Sequence, residues 1–130
     1  MVRAFYMDDH WDIAQDPLHT YGQCVDEVHR LLSPGPSPWP RPLEGVGPAI
    51  SFGQEMWRRT GVPQGLIACG HGGSSLDQWS PELKSTGSKS LYGATLRRVA
   101  KNSGRVAGIL WYQGENEAGL SSDAAAYTTL

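Results

Sequence analysis

Two short apolar runs, each followed at once by a polar or glycine-rich loop, constrain the fold of this chain more than any other feature. The runs are Gly65–Ala68 and Val106–Tyr112. Neither run alternates between apolar and polar residues as a half-exposed strand does. Continuous apolar runs are typical of strands covered on both faces in a parallel sheet. A helix-like segment, Leu91–Ser103, lies between them. The pattern predicts an α/β fold with a central strand–helix–strand unit over residues 62–117.

The loops that follow the two runs are Cys69–Ser75 and Trp111–Glu117. A right-handed crossover brings the carboxyl ends of parallel strands to the same edge of the sheet, which is where open α/β sheets bind ligands. We therefore expect the two loops to meet, and we place the functional site there.

The rest of the chain divides into a first strand, a loop-rich region and a helix. Val2–Tyr6 alternates like a strand, and residues 7–47 are rich in loops, with a proline-rich segment at Ser33–Pro42. A short helix is predicted over Gln23–Leu32. The clearest helix begins at Pro48 and ends before Gly61, because glycine at that position favours the left-handed conformation that ends helices.

Composition excludes several classes of partner. The 130 residues suffice for one domain, and the 11 basic and 13 acidic residues, with a net charge of −2, are scattered along the chain. No basic patch for nucleic acid is therefore expected. No apolar stretch reaches the roughly 18 residues of a membrane span, and the N-terminus lacks the pattern of a secretory signal. Compartment and oligomeric state are left open.

Four acidic or imidazole side chains, Asp8, Asp9, His10 and Asp12, surround Trp11. Such groups can bind metals, but their spacing fits no ligand frame, so we interpret the segment as a solvated acidic loop. The isolated His19 and His29 are interpreted as surface residues, and Cys24 and Cys69 as unpaired thiols. No metal, cofactor or disulfide is expected.

The two loops hold groups suited to ester chemistry. Gly72 and Gly73 leave backbone N–H groups open to an anion, although a plain tight turn is the alternative. Gln113 offers a neutral carboxamide donor, and a donor of this kind beside a backbone N–H forms an oxyanion hole for acyl transfer. Glu115 could orient a histidine, or could simply be a carboxylate favoured at a helix N-terminus.

These residues resemble the carbohydrate acetylesterase branch of the SGNH hydrolases, the sialate O-acetylesterase-like domain. The resemblance covers roughly Val2–Glu117, and its most specific part is the Trp-Tyr-Gln-Gly-Glu run at 111–115. The other matching segments are Trp11–Ala14, Asp16–Leu18, Gly45–Phe52, Gly61–Ile67, Gly72–Leu76 and Trp79–Pro81. The resemblance implies a flavodoxin-like, three-layer α/β fold with a parallel sheet, and an enzyme that removes acetyl groups from sugars.

The resemblance also assigns roles. Gly73 is similar to the glycine whose N–H helps to hold the oxyanion, Gln113 to the side-chain donor, and Glu115 to an acid that supports the catalytic histidine. The family's Gly-Gln-Ser-Asn and Asp-x-x-His blocks have no counterpart among the matched segments. We therefore expect an incomplete sheet, a marginally stable domain 1–130 that is a fragment, and no activity of the chain alone.

Three alternatives remain open. A local pair of Ser74 or Ser75 with His71 could replace the missing nucleophile and base, although a tight loop seldom aims both side chains inward. The chain could be a non-catalytic remnant that binds acetylated carbohydrate through stacking of tryptophans on sugar rings. The candidates are Trp11, Trp39, Trp79 and Trp111, although core packing is the expected fate of Trp79 and Trp111. The segment Pro34–Pro42 could be a ligand for a proline-recognition domain.

Overall fold

A computed structural model describes residues 1–32, 44–119, 124–125 and 127. The proline-rich segment 33–42 and residues 122, 123 and 126 of the predicted helix start lie outside the described residues. Eight strands and helices are described: β1 (Val2–Phe5), β2 (Trp11–Ile13), β3 (His19–Thr20), α1 (Glu27–Leu32), β4 (Glu44–Gly45), α2 (Ala49–Thr60), β5 (Gln64–Ile67) and α3 (Leu91–Lys101). Four 3-10 segments accompany them: Tyr21–Gln23, Leu76–Trp79, Pro81–Lys89 and Glu117–Gly119.

The described sheet has three strands in the order β2-β1-β5. β1 runs antiparallel to β2 and parallel to β5, with Val2 opposite Gln64 and Phe5 opposite Ile67. β3 and β4 form a separate antiparallel pair. The fold is therefore α/β as predicted, and its parallel pair is made by β1 and β5.

Helix α2 lies between these two parallel strands along the chain and packs on them. A side chain at Gly53 would approach Val2 Cγ1 at 2.9 Å, so the helix sits directly on β1. Its end is the predicted one: Gly61 has a φ of 68° and donates its N–H to Trp57 O at 2.8 Å. The glycine conformation and the apolar stripe together explain why the sequence located this helix.

The strand predicted over Val106–Tyr112 is not formed, although all seven residues are described. Ile109 is 79% exposed and Tyr112 80% exposed. After α3, Ser103 and Gly104 both have positive φ, 74° and 70°, and turn the chain away from the helix. A strand needs a neighbouring strand to satisfy its backbone groups, and apolarity alone does not supply one.

Helix α3 begins at the predicted Leu91 and ends at Lys101, two residues before the predicted end, and it is fixed by buried charge. Arg98 is fully buried, and its guanidinium donates to Phe5 O, Tyr6 O and Ala68 O at 3.0, 2.6 and 2.8 Å. These carbonyls lie at the carboxyl ends of β1 and β5, so one side chain joins both strands to the helix. A buried cation requires such full pairing, and Asp9 Oδ1 accepts a further bond at 3.0 Å.

Asp9 therefore belongs to the interior, and the interpretation of its segment as a solvated loop is wrong for this residue. Its carboxylate also accepts bonds from Arg97, at 2.8 and 2.9 Å, and from Lys101 at 2.9 Å. The Arg97 guanidinium, more than the other cations, lowers the pKa of Asp9 to about 2. No described helix is long and apolar enough to cross a membrane.

Candidate functional site

The two predicted loops meet. Gln113 Nε2 donates to Ser74 O at 3.0 Å, and Asn116 Nδ2 donates to Gly73 O at 2.7 Å. The rings of Trp79 and Trp111 add an edge-to-face contact, with centroids 5.3 Å apart. The expected juxtaposition is confirmed even though no strand leads into the second loop.

Hydrogen bonds within and just after the glycine loop, Cys69–Ser75, fix its shape. Gly73 has a φ of 71°, a conformation that favours glycine. Ser74 Oγ donates to His71 O at 2.9 Å and accepts the Trp79 indole N–H at 2.9 Å. Ser75 N donates to Gln78 Oε1 at 2.8 Å, which starts the following 3-10 turn. Both serines therefore shape the loop.

A local serine–histidine pair is not what the described loop forms. The His71 ring turns instead to His29, with 3.0 Å between the two Nδ1 atoms. The Ser74 hydroxyl is bonded to the backbone of His71, not to its ring. The alternative nucleophile considered from the sequence thus has no support from the geometry.

The interpretation of His29 as a surface residue is wrong. His29 is fully buried and its ring stacks on Tyr21, whose hydroxyl accepts the Gly72 N–H at 3.0 Å. Burial, together with a smaller effect of the nearby His71, lowers the pKa of His29 to about 3. This packed cluster contacts the glycine loop through the Gly72 N–H. Histidines that stand alone in a sequence do not indicate such a cluster.

Gln113 is anchored through both hydrogens of its amide nitrogen. Nε2 donates to Ser74 O and, at 2.6 Å, to Glu117 Oε2. Its Oε1 is buried and has no hydrogen-bond partner among the described residues. The side chain predicted as an oxyanion donor thus lies at the loop junction, with its N–H groups directed at acceptors.

The two acids of the second loop differ sharply. Glu115 is exposed, whereas Glu117 is buried and accepts the Leu76 N–H at 2.6 Å in addition to the Gln113 bond. Sequence reasoning named Glu115 and missed the structural part played by Glu117. The spacing of Gln113 and Glu117 could have indicated their contact, because positions four apart meet across one helical turn. The backbone there does form such a turn, with Ala118 N donating to Gly114 O at 3.0 Å.

Within the described residues, no group of three or more His, Cys, Asp or Glu side chains is arranged to hold a metal ion. Of the acidic segment considered for a metal, Asp8 pairs with His10 at 2.5 Å and Asp9 with the helix α3 cations. Asp8 and Asp9 are therefore engaged in ion pairs.

The fold is α/β, and the Trp-Tyr-Gln-Gly-Glu run contacts the glycine loop through Gln113. Residues 1–130 match the sequence model of the family described as carbohydrate esterase, sialic acid-specific acetylesterase, and the chain belongs to that family. The resemblance drawn from the sequence is thereby confirmed.

One curated relative is a probable carbohydrate esterase of Arabidopsis thaliana, which is 29% identical over an alignment of 127 residues that covers 92% of this chain. An X-ray structure of this Arabidopsis protein superposes with a TM-score of 0.68 over 98% of the chain, at 24% identity, and supports the fold. The chain spans 40% of the relative's length and 46% of the solved chain.

Proposed function

We propose that this chain contributes the oxyanion side of an active site that removes O-acetyl groups from carbohydrates. The observation that carries the proposal is the placement of the Gln113 carboxamide against the glycine loop, 3.0 Å from Ser74 O. Family membership supports the class of substrate. Sialic acid and acetylated xylan-type glycans are the two substrate classes that the proposal includes.

In this proposal a serine attacks the acetyl carbonyl carbon, and the carbonyl oxygen becomes an oxyanion. The Gly73 N–H and one Gln113 N–H then stabilise that charge. The second Gln113 hydrogen bond, to the neutral Ser74 carbonyl, is the one that an oxyanion would displace, because bonds to charged acceptors are stronger. Collapse of the intermediate expels the sugar hydroxyl, and water then hydrolyses the acetyl-enzyme.

Glu115 is proposed to support the histidine that shuttles the proton. Its exposure leaves the carboxylate accessible to an imidazole from elsewhere in the enzyme. The proposal assigns roles to Gly73, Gln113 and Glu115, and it assigns no residue as the serine nucleophile or the histidine base. The proposal therefore concerns charge stabilisation and the orientation of the base.

The test is Gln113→Ala in the enzyme that carries this chain, assayed with an aryl acetate and with acetylated xylo-oligosaccharides. Loss of one oxyanion donor is expected to lower kcat by about 100- to 1,000-fold, with a smaller change in KM. Gln54→Ala, at an exposed position of α2, is the matched control and should leave turnover unchanged. Wild-type turnover in Gln113→Ala would contradict the proposal.

A second candidate function is carbohydrate binding without hydrolysis. Trp11 and Trp111 are 40% and 51% exposed, and exposed indole rings can stack on sugars. Isothermal titration with acetylated xylo-oligosaccharides and with O-acetyl sialic acid separates the two functions. Binding without hydrolysis by the enzyme would favour this second candidate.

A further inference from the structure

Glu117 is the side chain that joins the two loops. It is 7% exposed, and each of its carboxylate oxygens accepts a bond from a different loop. Oε1 accepts the Leu76 N–H and Oε2 accepts from Gln113 Nε2, both at 2.6 Å. One carboxylate thus ties the end of the glycine loop to the proposed oxyanion donor.

This contact also decides which way the Gln113 amide faces. Both neighbours of Nε2, the Glu117 carboxylate and the Ser74 carbonyl, are acceptors. An amide turned by 180° would direct Oε1 at two acceptors and leave both N–H groups without these bonds, which is unfavourable. The Glu117 charge therefore fixes Nε2 on the side of the glycine loop.

We propose that Glu117 is a positioning residue of the oxyanion site, which retains one Gln113 hydrogen and so presents the other to the ester oxygen at the glycine loop. The inference rests on the proposed function for the role of Gln113. It goes beyond the proposed function by assigning the orientation of the Gln113 amide to Glu117. Glu115 takes no part in this contact.

The carboxylate is suited to this task because it is ionised at neutral pH. The Leu76 backbone N–H, with a smaller contribution from Gln113, lowers the pKa of Glu117 below its ordinary value of 4.5. An ionised acceptor makes a stronger bond than a neutral one, and it can accept from two loops at once. A neutral amide at this position would lose part of that capacity.

The first test uses the wild-type protein and does not depend on activity. The side-chain NH2 signals of Gln113 in a ¹⁵N-labelled sample should move with pH, with a midpoint below 4.5, as Glu117 takes up its proton. The Leu76 amide should move with the same midpoint. Gln113 and Leu76 signals that do not change through this range would overturn the proposal.

The second test compares two isosteric variants, Glu117→Gln and Glu115→Gln. Glu117→Gln should abolish the pH-dependent shift of Gln113 and accelerate hydrogen exchange at Leu76 by roughly 10- to 100-fold, the factor for losing a bond to a charged group. Glu115→Gln should leave both signals as in the wild type. Equal effects of the two variants would overturn the assignment to Glu117.

The third test measures turnover of an aryl acetate by the enzyme that carries this chain. Glu117→Gln should lower kcat with little change in KM, and Glu117→Asp should restore part of the loss, since the charge returns on a shorter side chain. If the Gln113 signals titrate but Gln113→Ala leaves turnover intact, the proposed function fails and the contact loses its catalytic role. If the signals do not titrate, the positioning role fails whatever the turnover.

Discussion

The parallel pair β1–β5 and the run Val106–Tyr112 are both rich in apolar residues, but only the pair forms strands. Ala4 and Ala68, in and just after the paired strands, are 0% and 4% exposed, whereas Ile109 is 79% exposed. The pair has helix α2 on its face and Arg98 on its strand ends, while the run follows two residues of positive φ. Apolar sequence permits a strand, and a partner edge with a covering helix makes one.

The largest effect is expected where the paired region depends on buried charge. Arg98→Met should destabilise the fold by about 3–5 kcal/mol, because it leaves buried strand carbonyls and the Asp9 carboxylate without their donor. Urea unfolding measures the change. Arg105→Met, at an exposed position just after α3, is the control and should stay within about 0.5 kcal/mol of wild type. Similar losses of unfolding free energy for both variants would contradict the conclusion that Arg98 joins the two strands to α3.

A smaller loss is expected where α2 meets β1. Gly53→Ala places a Cβ 2.9 Å from Val2 Cγ1, and overpacking of this kind costs about 1–3 kcal/mol. The gain in helix propensity, about 1 kcal/mol, only partly offsets that cost. Ser51→Ala at an exposed position of the same helix is the control. A more stable Gly53→Ala protein would show that the helix does not approach β1 so closely.

The histidine cluster predicts a pH dependence of stability. Burial lowers the pKa of His29 to about 3, and lowers those of His71 and His19 from the ordinary 6.5. Below pH 6.5 the unfolded chain binds protons that the folded chain does not. The stability that His29 contributes is fully present above pH 6.5 and falls as the pH is lowered towards 3, by about 1.4 kcal/mol per pH unit. His71 and His19 act in the same direction.

Urea unfolding at pH 7 and pH 5 measures this slope. His29→Leu removes one titrating group, so its slope should be smaller than that of the wild type. Gln54→Leu, at an exposed position of α2, changes no titrating group and should leave the slope unchanged. A wild-type slope near zero would show that the cluster is not buried. The Asp9 carboxylate, with a pKa of about 2, adds its loss only below pH 4.

The smallest effect is expected in the unpaired run. Ile109→Thr should change stability by less than about 0.5 kcal/mol, since the side chain is already exposed. The matched variant in the interior, Leu91→Ala, should cost about 2–5 kcal/mol. A loss above about 2 kcal/mol for Ile109→Thr would show that the run is buried in solution.

The sequence predicted features that depend on local pattern. The glycine stop at Gly61 and the start of α3 at Leu91 follow from short-range spacing and turn chemistry. The meeting of the two loops was expected from a second parallel strand, and the loops meet without it. The buried Arg98, by contrast, bonds to residues 30 to 93 positions away, and no periodicity announces such pairs. His29 and Glu117 were misjudged or overlooked for the same reason, since their environment is made by distant segments.

The most direct test of the account is a pair of NMR observations on one sample. We predict nuclear Overhauser contacts between the rings of Trp79 and Trp111, whose centroids are 5.3 Å apart. The amides of residues 106–110 should at the same time exchange with solvent without strand-like protection. The account would be contradicted if the two indoles gave no contact, or if these amides were protected as they would be in a strand.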